Sequence, residues 1–199
     1  MKKTLLLVVA CAFTFVSAQA QSSEVEAVSQ KTKTEQFKTN CSFLKETYIG
    51  DFKDGGVRVL TILYTDLKTG DELVGLEFQS YATLLNGVGT PENLGYLDAD
   101  QVNDFLLALE TMLNESQKTD KKTQIAISYT APGGIDAHAY SLNGVQFIGF
   151  RKKWLTTNEF GIQQYTYTQN PPFMTINKLA KLISSIKEAQ TIAEQYLNK

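Results

Sequence analysis

The chain has 199 residues, is 43% hydrophobic and 20% charged, and carries a formal net charge of −2. Its 13 glycines and 4 prolines are too few for a collagen-like or Pro/Gly-rich disordered chain, so the composition is that of a folded globular protein. The acidic balance argues against nucleic-acid binding, because a phosphate backbone wants a basic face.

The first residues read MKKTLLLVVACAFTFVSAQAQ. Lys2 and Lys3 form a basic start, Leu5 to Val16 an apolar run, and Ala18 and Ala20 occupy the −3 and −1 positions of an A-x-A cleavage site. A membrane span needs about 20 apolar residues. This run is shorter and ends in small and polar residues, which predicts a signal peptide over 1–20 and a mature chain that starts at Gln21 without a transmembrane span. The protein is therefore expected to be exported, either periplasmic or secreted. Val8-Val9-Ala10-Cys11 offers a rival lipobox with Cys11 as a lipid anchor. That reading leaves Phe13, Phe15 and Val16 without a purpose. Loss of Lys2 and Lys3 makes the mature chain still more acidic.

Residues 21–42 are mostly polar and read as a linker. Residues 43–199 fit a single domain that buries about 70% of its unfolded surface and needs no disulfide. Cys41, the sole cysteine after the leader, reads as a small residue at the start of the fold. Its unpaired thiol keeps intermolecular pairing open.

Phe43 to Ile49 begins the strands, and Asp54-Gly55-Gly56 is a tight turn. Val57 to Thr65 alternates with both faces apolar, the mark of a central strand with both sides covered. Lys68 to Asp71 turns, and Leu73 to Tyr81 is a third strand. Ala82 to Leu97, with Gly87, Gly89, Pro91 and Gly95, reads as a long loop. Asp98 and Gln101 then have capping-box spacing, and Val102, Phe105, Leu106, Leu109, Met112 and Leu113 make one helical stripe that gives way to the polar run Asn114 to Lys122.

The second half repeats this order. Ile125 to Tyr129 is a strand, Pro132-Gly133-Gly134 a turn, and Ile135 to Leu142 the next strand. Asn143-Gly144 is the strongest hairpin signal in the chain. Val145 to Trp154 and Ile162 to Thr168 follow, Pro171-Pro172 interrupts, and a last helix runs from about Thr175 to Leu197. The expected fold is α+β: one antiparallel sheet of six to seven strands with two helices on one face. Two strand-strand-strand-helix halves, about 43–113 and 123–197, suggest an internal duplication.

Chemistry is sparse. His138, the single histidine, shares a strand face with Asp136 and is the weak candidate for a catalytic base. A metal site usually needs three or four ligands, and no second His or Cys is near in sequence. The chain lacks H-E-x-x-H, G-x-S-x-G and P-loop patterns, so no cofactor or metal is expected. Asp98, Asp100, Asn103 and Asp104 miss the EF-hand pattern at Val102 and Asn103 and suit a helix start better. Arg151-Lys152-Lys153-Trp154 is the one basic run, with Trp154 as a candidate anchor. Tyr165, Tyr167 and Phe173 bring aromatics together before the last helix, and Leu84, Leu85 and Val88 lie in the glycine-rich loop. These residues point to a non-enzymatic module that binds an envelope protein or a small ligand through an open sheet face or loop 82–97. The competing expectation is an enzyme built on His138 and Asp136.

Overall fold

A computed structural model describes residues 31–80, 91–120, 123–158, 160–168 and 172–197. The expected leader, Cys11 and loop residues Leu84, Leu85 and Val88 lie outside them. The chain opens with helix α1 (Lys33–Asn40) and strands β1 (Leu44–Asp54), β2 (Val57–Asp66), β3 (Glu72–Ser80) and β4 (Glu92–Asp98). A 3₁₀ turn, Ala99–Gln101, leads into α2 (Val102–Lys118). Strands β5 (Ala126–Thr130), β6 (Ile135–Leu142), β7 (Val145–Thr157), β8 (Gln163–Tyr167) and β9 (Phe173–Thr175) follow. A second 3₁₀ turn, Ile176–Lys178, starts α3 (Leu179–Leu197).

The fold is α+β, with two antiparallel sheets in place of the single sheet expected. The first has four strands in the order β1-β2-β3-β4, and the second five, β5-β6-β7-β8 with β9 also on β7. β7 is long enough to hold two partners along one edge. Its start pairs with β9 and its end with β8. Among the described residues no helix is long and apolar enough to cross a membrane.

Both sheets turn their inner faces to one core. Val57, Val59, Leu76 and Phe78 from the first meet Ile135, Ala137, Ile148 and Phe150 from the second, with the stripes of α2 and α3 among them. Phe105 of α2 joins the two sides: its ring lies edge-on to Phe78 at 5.5 Å and 6.1 Å from Tyr129. Helix α3 crosses β1, β2 and β3, and Thr61 Oγ1 donates to the Ala189 carbonyl at 3.2 Å. The sheets come together where β4 passes the Ala131–Gly134 turn. Gly95 has φ 136°, and a Cβ there would sit 2.5 Å from the Gly133 carbonyl oxygen. A Cβ on Gly133 would in turn run into the Tyr96 carbonyl, so only glycine fits either side of the crossing.

Two segments differ from the sequence reading. Glu92 to Leu97, expected as the end of a loop, belongs to a strand that closes at Asp98. Gly95, which reads as a loop residue, marks an irregularity in the β3–β4 register, a common use of glycine within a strand. The expected linker contains α1. Thr32 caps it, accepting from Glu35 N–H at 3.1 Å while the Glu35 carboxylate accepts from Thr32 N–H at 3.1 Å.

That helix answers what covers the second face of β2. Leu60, Ile62 and Tyr64 form a small buried cluster with Phe37 of α1, Leu44 and Leu73. Thr34 sits over Gly75, where a Cβ would collide with its hydroxyl. Asp98, 3% exposed, keeps its capping-box bond with Gln101 through its N–H at 3.1 Å. Its carboxylate also accepts from Lys33 N–H at 2.7 Å, Thr34 N–H at 3.0 Å and Thr34 Oγ1 at 2.9 Å. One side chain therefore ties the start of α1 to the start of α2.

Candidate functional site

In a strand, alternate residues share a face. On β6 and β7 the pairs Asp136↔Arg151, His138↔Gly149, Tyr140↔Phe147 and Leu142↔Val145 all lie opposite the buried set Ile135, Ala137, Ile148 and Phe150. The same outer face receives Phe173 of β9 beside Gly149 and Tyr165 and Tyr167 of β8 beside Leu155 and Lys153. The structure thus brings together five sequence-predicted residues: His138, Asp136, Tyr165, Tyr167 and Phe173. Trp154 falls one residue out of phase and belongs to the opposite side of β7, so it is not part of the group.

The rings form a continuous row. His138 stacks on Tyr140 with centroids 5.8 Å apart, Tyr140 on Phe147 at 5.7 Å, and Phe147 meets Phe173 edge-on at 6.2 Å. Gly149 makes the space for it, since a Cβ there would lie 2.6 Å from His138 Nε2. Two cations lie over the β8 tyrosines: Arg151 is 3.9 Å from the Tyr167 ring centroid and Lys153 is 4.4 Å from that of Tyr165. Each such contact contributes about 0.5–2 kcal/mol. The apolar rim stays open to solvent, with Phe173 64% and Leu142 58% exposed.

Asp136 is buried and already engaged. It accepts from Arg151 Nε at 2.6 Å and from Thr130 Oγ1 at 2.8 Å. The His138 Nδ1 atom is 3.9 Å from Asp136 Oδ2, too far for a hydrogen bond, and is itself buried without a partner. Burial, and then the nearby Arg151 charge, hold the His138 pKa below its usual value, with Asp136 opposing them in part. The imidazole is therefore neutral at pH 7, which suits a packed ring in an aromatic row.

The sign of the pH effect follows. Below the unfolded value of about 6.5 the unfolded chain takes up a proton that the folded chain refuses, so stability falls as pH drops from that point to the folded pKa. Titrating the single histidine by NMR should place it below 6.5, and His138→Phe should remove that share of the acid sensitivity in urea unfolding between pH 7.5 and 5.5. A midpoint above 6.5 would refute the burial argument.

The remaining candidates are dispersed. Asp100 pairs with exposed Lys33 at 2.5 Å, Asn103 accepts from Gln190 at 3.0 Å, and Asp98 serves α1. Among the described residues no group of three or more His, Cys, Asp or Glu is placed to hold a metal ion. Cys41 ends α1, and partial burial together with the Asp66 carboxylate pushes its thiol pKa up, away from thiolate chemistry. Lys152, on the far side of β7 from the row, points toward Glu35 at 3.9 Å.

Sequence reasoning missed Tyr140 and Phe147, the middle of the row. Their signal was the hairpin itself. They stand symmetrically about Asn143-Gly144, and a two-residue turn pairs such residues across the strands. In comparison with known proteins, no family model matches the chain and no curated protein matches it.

Proposed function

We propose that this is an exported, non-enzymatic binding module that holds an envelope protein through the outer face of its second sheet. The aromatic row, half-buried from His138 to Phe147 and exposed at Phe173, with Leu142 and Val145 exposed beside it, supports this reading more than any other observation. An open apolar patch of this kind is unusual on a protein that works alone and marks an interaction surface. The arrangement favours a protein partner over a sugar. Tyr140 has neighbours on both faces, and Arg151 and Lys153 cover Tyr167 and Tyr165, so the ring faces that would stack on a sugar are taken. Export rests on the leader-like pattern of Met1 to Gln21. The committed state of Asp136 weighs against the enzyme alternative, because His138 has no hydrogen-bonded carboxylate to orient it as a base.

A duplicated origin of the two halves belongs to the same proposal. The buried positions of α2 (Val102, Phe105, Leu106, Leu109, Met112, Ser116) recur in α3 (Leu179, Leu182, Ile183, Ile186, Ala189, Ala193) at identical spacing. Each helix also follows a strand and a 3₁₀ turn.

The test is capture by the intact protein in its own host. A photo-crosslinker at position 173 should yield one discrete adduct, and Tyr165→Ala with Tyr140→Ala should reduce it at least tenfold while the unfolding midpoint changes little. Unchanged adduct in those variants would refute the binding face.

A further inference from the structure

We infer that the occupant of this face is a short, acidic amphipathic helix, laid over the second sheet as α1 is laid over the first. This rests on the reading of that face as the binding surface and adds what kind of chain fits it.

The two sheets share one pairing register. Leu60↔Glu77, Ile62↔Gly75 and Tyr64↔Leu73 in the first correspond to His138↔Gly149, Tyr140↔Phe147 and Leu142↔Val145 in the second. The third strand in each continues the match. Gly75↔Asp98 and Glu77↔Tyr96 correspond to Phe147↔Thr175 and Gly149↔Phe173. The outer face of the second sheet is therefore the positional counterpart of the face that α1 covers. On the first sheet the cover is a two-turn helix with a single large apolar residue, Phe37, pressed on Leu60, Ile62 and Tyr64. On the second, the equivalent His138 and Tyr140 are only half-buried and Leu142 is exposed, whereas Leu60, Ile62 and Tyr64 are fully covered.

Charge decides the composition. The first face is acidic, and the helix it holds is basic: Lys38 meets Glu46 at 2.7 Å and Glu77 at 4.0 Å. The second face offers Arg151 and Lys153 instead, with Asp136 already held by Arg151. A complementary helix carries Asp or Glu on the side that meets Lys153. The relief differs as well. Gly75, which admits Thr34, is replaced by Phe147, so small residues fit above that ring while larger apolar ones rest on Tyr140 and Leu142. Helix-in-groove recognition reads as apolar anchors at i, i+3, i+4 and i+7.

The probe is a displayed library of random linear peptides, selected on the full chain and counter-selected on Phe173→Ala, a change at an exposed side chain that leaves the core intact. The expected winners have helix-period apolar residues with Asp or Glu between them. A synthetic winner should bind Lys153→Glu at least tenfold more weakly than the unaltered protein. Winners of alternating period or rich in proline that still need Phe173 would overturn the helix and leave the binding face standing. Winners indifferent to Phe173, or none, would overturn both. A concentration-dependent dimer dissolved by Phe173→Ala would assign the face to a second copy and overturn the helical occupant.

Discussion

Replacing Phe105 with alanine should lower the unfolding free energy by about 3–5 kcal/mol, the range for a fully buried aromatic whose cavity cannot close. The ring is completely buried and touches Phe78 on one sheet and Tyr129 on the other, so neither side can collapse without moving a strand. Against a typical total of about 5–15 kcal/mol, this change removes a large share. Urea unfolding would show a lower midpoint at unchanged slope. Phe160→Ala, at an exposed ring, should do almost nothing. A loss below about 1 kcal/mol for Phe105→Ala would mean that the two sheets do not share one core.

The second large effect is expected at Asp98. Its carboxylate takes three hydrogen bonds from Lys33 and Thr34, and bonds to a charged acceptor are the stronger kind. Alanine there strands a buried hydroxyl and two backbone N–H groups, at a cost of about 3 kcal/mol. The loss should also be local. Amide exchange over Lys33–Asn40 should accelerate far more than exchange in α3, because α1 is short and owes its place to this clamp and to Phe37. Unchanged protection in α1 would show that Phe37 alone holds it.

Most strands and both long helices were legible because their signals are local. Val57 to Thr65 shows its alternation, Asn143-Gly144 sets a hairpin, and the stripe from Val102 to Met112 has one period. The misses were of two physical kinds. Glu92 to Asp98 has a glycine at its centre, and whether Gly95 breaks a strand or lets one pass another chain depends on Gly133, far away in sequence. Lys33 to Asn40 is too polar to announce a helix by periodicity, and its one local mark is the capping-box spacing of Thr32 and Glu35. The division into two sheets was not legible, since pairing between strands distant in sequence leaves no local mark. At the site, the face shared by His138 and Asp136 followed from strand alternation, and Tyr165 with Tyr167 likewise. Phe173 reached them through β9, a three-residue strand too short to read.

Helix α3 lies across strands made some 120 residues earlier, and the hydrogen bond from Thr61 to Ala189 spans 128 positions. Synthesis delivers a chain from its N-terminus at about 5–20 residues per second. Val57, Val59, Leu76 and Phe78 are therefore made many seconds before the helix that completes their core. The first sheet is covered only once Leu179–Leu197 has been made, because that helix packs across β1, β2 and β3. A chain cut short before Leu179 would keep most of its strands and lose the means to close them. Such a product would present an aggregation-prone apolar sheet to whatever protease or chaperone meets it first.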